Sequence, residues 1–143
     1  MAAVERDDGE TLIQHIRQRE TFDCLIACFA MVTGKQYEEV RKVAGEDIST
    51  RPPESQPLFD WLKQSGFRVH FRMPENLSDW PQKPFTDVHI CSVLKHKEIA
   101  WSHGIVLLRD GTVLDPDCDE KKRLSDYYFV NWMCGIRPNK RTG

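Results

Sequence analysis

Residues 24–33, Cys-Leu-Ile-Ala-Cys-Phe-Ala-Met-Val-Thr, are apolar almost all the way round a helical projection. Such a helix has no face to give to water, so the rest of the chain must enclose it. Asp23 precedes the run as an N-cap candidate and Gly34 follows as a C-cap. At 143 residues the chain is long enough for one domain with a core that can close around it. With 40% hydrophobic and 29% charged residues, it has a globular composition, neither disordered nor fibrous.

The buried helix starts on Cys24, with Gln18 six positions upstream in Gln-Arg-Glu-Thr-Phe-Asp-Cys. Unpaired backbone N–H groups and the positive end of the helix dipole favour a thiolate there, and a thiolate is a nucleophile.

The remaining pattern divides into helices and then strands. Residues 1–10 read as a loose leader, and Thr11 to Ile16 as a short strand or a turn of helix. Tyr37, Val40 and Val43 recur at a helical period, which predicts a second helix over 36–43 closed by Gly45. Ile48 to Pro57 reads as a loop. Leu58, Trp61 and Leu62 predict a third helix over about 57–64, preceded by Ser55 or Gln56 and ended by Gly66. From Phe67 the period drops to two, with Phe67, Val69 and Phe71 alternating with Arg68, His70 and Arg72. After a turn-rich stretch over 73–84, strands are expected over 88–94, 101–108, 113–115 and 127–136, with a hairpin turn at Arg109-Asp110-Gly111-Thr112. Helices first and an antiparallel sheet afterwards make an α+β fold, one domain over 1–143. There is no internal repeat or linker.

A thiol nucleophile needs a base within reach and a group to orient that base. His103 opens the apolar strand His-Gly-Ile-Val-Leu-Leu, and Gly104 beside it permits a close approach. The hairpin at Asp110-Gly111 returns Asp115-Pro116 towards the His103 end, where Asp115 is expected to fix the imidazole tautomer facing Cys24. His89 and His96 are the alternative bases. Cys28, one turn after Cys24, is the alternative partner for a metal with Cys118 or a histidine. Cys91, Cys118 and Cys134 read as structural thiols. Tyr127, Tyr128, Phe129 and Trp132 read as an aromatic core cluster, as do Trp61, Trp80 and Trp101.

Gln18-x5-Cys24, the run from Asp23 to Val40, and His103-Gly104-Ile105-Val106 with Asp115-Pro116 resemble papain-like cysteine peptidases. Within these, the pattern is closest to the double-glycine leader peptidases of bacteriocin transporters and their free-standing bacterial and phage relatives. The resemblance spans about residues 12–116. It implies that Cys24 is the nucleophile, His103 the general base, Asp115 its orienter and Gln18 a donor to the oxyanion hole. It implies a papain-like domain, helices packed on a C-terminal sheet, that hydrolyses a peptide or isopeptide bond without cofactor or metal. Two features depart from the pattern. Leu25 is bulky where many relatives carry a small residue, and the papain-type Cys-Gly-Ser-Cys-Trp run is absent. With no transporter segment, a role in bacteriocin processing is not expected to carry over.

A net charge of −2 gives no general pull towards nucleic acid or anionic lipid, and the basic end of Arg137, Lys140 and Arg141 reads as a solvated tail. No apolar run reaches the roughly 20 residues of a membrane span, and the acidic N-terminus is unlike a signal peptide. A cytoplasmic protein with five free thiols is therefore expected, with a protein or peptide substrate as its partner. The same machinery serves a deamidase or an acyltransferase, and an inactive binding module keeps the same fold.

Overall fold

The computed structural model describes residues 13–45, 55–73, 84–95, 102–120 and 122–139. Three helices, α1 (Cys24–Thr33), α2 (Tyr37–Ala44) and α3 (Ser55–Gln64), precede five strands: β1 (Phe67–Arg72), β2 (Val88–Leu94), β3 (His103–Leu108), β4 (Val113–Leu114) and β5 (Phe129–Pro138). The strands form one antiparallel sheet in the order β1-β5-β2-β3-β4. The fold is α+β, as the change of period implies.

α1 packs against β2, β3, α2 and α3. Ile26, Ala27, Cys28, Phe29 and Ala30 have no exposed surface, which is what an all-round apolar helix requires. Gly34 ends it in the left-handed conformation at φ 71°, its N–H donating to the carbonyl of Ala30. Asp23 occupies the N-cap position, but its side chain caps nothing. Its buried carboxylate instead accepts the backbone N–H groups of Arg19 and Glu20 and the hydroxyl of Tyr37. The loop before the helix is thereby tied down and joined to α2. Glu38 and Arg41 of α2 pair with Arg19 and Glu20 of the same loop.

Two cores flank the sheet. Ile90, Val106, Cys134 and Ile136 meet the helices on one face. Cys91, Val93, Ile105, Leu107, Val113, Val130 and Met133 form a smaller core on the other, covered by Phe85, Leu124 and Tyr127. Gly135 is dictated by that second layer, because a Cβ there would lie 2.6 Å from Phe85 and 2.7 Å from Thr86.

Element boundaries differ from expectation in places. α3 starts at Ser55, with Pro57 in its first turn, where a missing N–H costs nothing. Residues 13–18 carry no regular element. The last strand begins at Phe129, and Arg137 belongs to it, not to a tail. The leader and the proline-rich stretches fall largely outside the described residues. Among the described residues no helix is long and apolar enough to cross a membrane.

Candidate active site

Cys24, the first residue of α1, is half-buried. Its Sγ accepts the backbone N–H of Gly104 at 3.3 Å. The approach depends on the missing side chain: a Cβ at Gly104 would lie 3.1 Å from Leu25 Cδ2 and 3.5 Å from Cys28 Sγ. The cysteine also lies close enough to the His103 side chain to favour its charged form. On the other side of the ring, His103 Nε2 lies 2.6 Å from Oδ1 of Asp115. A carboxylate oxygen only accepts, so Nε2 carries the proton and Nδ1 is left for the sulfur. The antiparallel β3–β4 hairpin, turning at Gly111 with φ 91°, brings positions 103 and 115 to one end of the sheet.

Asp115 is only 3% exposed and satisfied on both oxygens. Oδ1 also accepts the N–H of Asp117 at 2.8 Å, and Oδ2 accepts the Tyr127 hydroxyl at 2.6 Å. Burial pushes its pKa up. The bonds from His103, Tyr127 and Asp117 outweigh that and hold it down at about 2. For His103, burial opposes the charged ring, but Asp115 and Cys24 together raise its pKa to about 9. At neutral pH the site therefore favours imidazolium between two acceptors.

The turn carrying Asp115 is strapped from the far end of the chain. His15 Nε2 donates to the Asp115 carbonyl at 2.7 Å. Arg17 Nε and the Gln18 N–H donate to the Pro116 carbonyl at 3.0 and 2.8 Å, and Arg17 pairs with Asp119 at 2.7 Å.

Gln18 thus stands beside the site, but its side chain is turned inward. Nε2 donates to the carbonyls of Glu20 at 2.7 Å and Thr21 at 3.3 Å. Its Oε1 is buried without a partner among the described residues.

The alternatives lie elsewhere or are chemically unsuited. His89 Nε2 accepts the N–H groups of Phe85 and Thr86, both at 3.0 Å, so its proton sits on Nδ1 and goes to the Leu107 carbonyl. Burial lowers its pKa, and the ring holds the 84–87 loop against the sheet. His96, Trp80 and Trp101 lie outside the described residues. Burial, and next the charge of Cys24, raise the Cys28 thiol well above the ordinary range. Burial likewise raises Cys91, and Cys134 to about 12. Cys118 is half-buried and accepts the N–H of Glu120. Among the described residues no three His, Cys, Asp or Glu side chains group as a metal-ligand set.

Sequence reasoning missed Tyr127, Tyr37 and His15. A tyrosine in an aromatic run reads as core, and nothing in spacing marks its hydroxyl for Asp115.

No protein-family model matches the sequence, and neither does any curated protein. Solved structures do match. A double-glycine-motif protease from an AMS/PCAT transporter, solved with its leader peptide, superposes with a TM-score of 0.64 at 18% identity, covering 89% of this chain and 92% of that one. The peptidase domain of Streptococcus ComA, a bifunctional ABC transporter involved in quorum sensing, gives a TM-score of 0.61 at 18% identity, covering 87% of this chain and 97% of that one. The chain has the papain-like fold of these double-glycine peptidase domains.

Proposed function

We propose that the chain is a cysteine peptidase acting through Cys24, His103 and Asp115. The observation that carries this reading is the bond from His103 to a fully satisfied Asp115 carboxylate, with Cys24 Sγ held on the N–H of the adjacent Gly104. The Cys24 thiolate attacks the carbonyl carbon of a peptide bond. His103 gives its proton to the leaving amine, and a thioester remains on Cys24. A water deprotonated by His103 then attacks the thioester, releasing the carboxylic acid and restoring the thiolate. The tetrahedral oxyanion sits at the start of α1, against the unpaired N–H of Cys24. Gln18 supplies the second donor. An amide whose oxygen lacks a partner loses little by rotating, and its longer bond, to Thr21, is the one exchanged.

A peptide substrate accords with the leader peptide bound to one structural neighbour. The test is a peptide-library digestion comparing wild type with Cys24→Ala, read by mass spectrometry. Cleavage products are expected with wild type only. Identical digests from both proteins overturn the reading. Gln18→Ala is expected to lower kcat about 100- to 1,000-fold with the fold intact, the usual effect of losing one oxyanion donor.

A further inference from the structure

We propose a second site, an anion site for a phosphate-type group, on the sheet face away from the helices. Arg68, His70 and Arg72 of β1 share a face by the period of two, opposite to Phe67, Val69 and Phe71. Arg137 of β5 stands directly across from Arg68 on the neighbouring strand. These four side chains line a pocket of about 380 Å³ with Phe85, Thr86 and Gly135. It is remote from Cys24 in two directions. His103 aligns with Val93 and Val130, whereas Arg137 lies beyond the Ile136–Val88 pair at the other end of the sheet.

The four side chains are exposed and short of counter-charge. The Arg72 guanidinium lies 4.0 Å over the Phe85 ring, a stacking that leaves its N–H edge without a hydrogen-bond partner among the described residues. Arg137 gives one N–H to the Phe85 carbonyl at 3.3 Å, and its other N–H groups have no partner among the described residues. His70 meets the edge of the same ring. Phe85 is held in turn by His89, and Gly135 leaves the space that Phe85 and Thr86 occupy. No carboxylate among the described residues pairs with Arg68, Arg72 or Arg137. Like charges directly opposite on adjacent strands destabilise a sheet, and the whole chain is net negative at −2. A single carboxylate occupies one guanidinium fork. An oxyanion with two or more charges engages several at once, and phosphate is the group arginine recognises in this way. The site does not depend on the peptidase reading.

The test is titration of the full chain with inorganic phosphate, pyrophosphate and a phosphoserine peptide, followed by amide NMR shifts. Saturable shifts are expected at residues 68–72, 85–86 and 135–137, weakening with salt. Arg68→Gln with Arg137→Gln is expected to weaken binding at least about tenfold. Lys35→Gln with Lys42→Gln removes the same charge from exposed positions and is expected to leave it unchanged. Equal affinity for phosphate and phosphopeptide identifies the phosphoryl group alone as the ligand. Tighter phosphopeptide binding identifies a protein-borne one, and both outcomes support the site. Absence of saturable shifts, or equal loss in the lysine variant, overturns it. Independently, Arg68→Gln alone is expected to raise the melting temperature of the free protein, and a lower one would contradict an unpaired like-charge contact.

Discussion

At the scale of single residues, the site is organised around Asp115, which receives three donors on two buried oxygens. Tyr127→Phe removes one of them without opening a cavity. The expected results are a stability loss of about 1.5–3 kcal/mol, typical of a hydrogen bond to a charged group, and an Asp115 pKa that climbs from about 2. Urea unfolding and carboxyl NMR titration measure the two. Thiol reactivity is expected to separate as sharply. Iodoacetamide should label Cys24 first, since it is only half-buried at the start of α1 while burial raises Cys28, Cys91 and Cys134. Peptide mapping checks this, and even labelling of all five cysteines would count against it. Asp23 shows where sequence reading reaches its limit. An acidic residue before a helix signals an N-cap, and Asp23 holds that position. Only the tertiary contact with Tyr37, fourteen residues on, reveals that its carboxylate faces the preceding loop.

At the scale of elements, two glycines carry different burdens. Gly135→Ala drives a methyl to 2.6 Å from Phe85, whose backbone is pinned by His89. Overpacking of this kind costs about 1–3 kcal/mol, which denaturant unfolding will register. Gly104→Ala brings a methyl to 3.1 Å from the Leu25 Cδ2 tip and to ordinary contact with Cys28 Sγ at 3.5 Å. A smaller stability loss is expected there, together with reduced turnover, because Leu25 is pushed beside Cys24. The elements themselves were legible from periodicity. α1 runs from Cys24 to Thr33 because nothing polar interrupts it and Gly34 stops it. β1 alternates because one face meets helices and the other does not. The strand order β1-β5-β2-β3-β4 was not legible, since period two says which face is buried but not which strand lies beside which. The tie between Tyr127 and Asp115 is long-range in the same sense, linking an irregular segment to a turn.

At the scale of the whole molecule, the His103–Asp115 pair links protonation to folding. His103 is raised from an ordinary 6.5 to about 9 in the fold, so its contribution is complete below pH 6.5 and lost as pH rises through about 9. Asp115 is lowered from 3.8 to about 2, so its contribution is complete above pH 3.8 and lost as pH falls through about 2. Stability from this pair is therefore expected to be flat between pH 3.8 and 6.5 and to decline on either side. Denaturant midpoints across pH measure the profile, and His103→Ala should flatten its alkaline limb.

The strap from His15 and Arg17 to the Asp115-Pro116 turn joins residues about a hundred positions apart, and Gly104 reaches Cys24 across eighty. During synthesis Cys24 leaves the ribosome long before the residues that surround it in the fold. The environment of this sulfur is therefore assembled late, since Gly104, His103 and the Asp115-Pro116 turn are all made after the three helices.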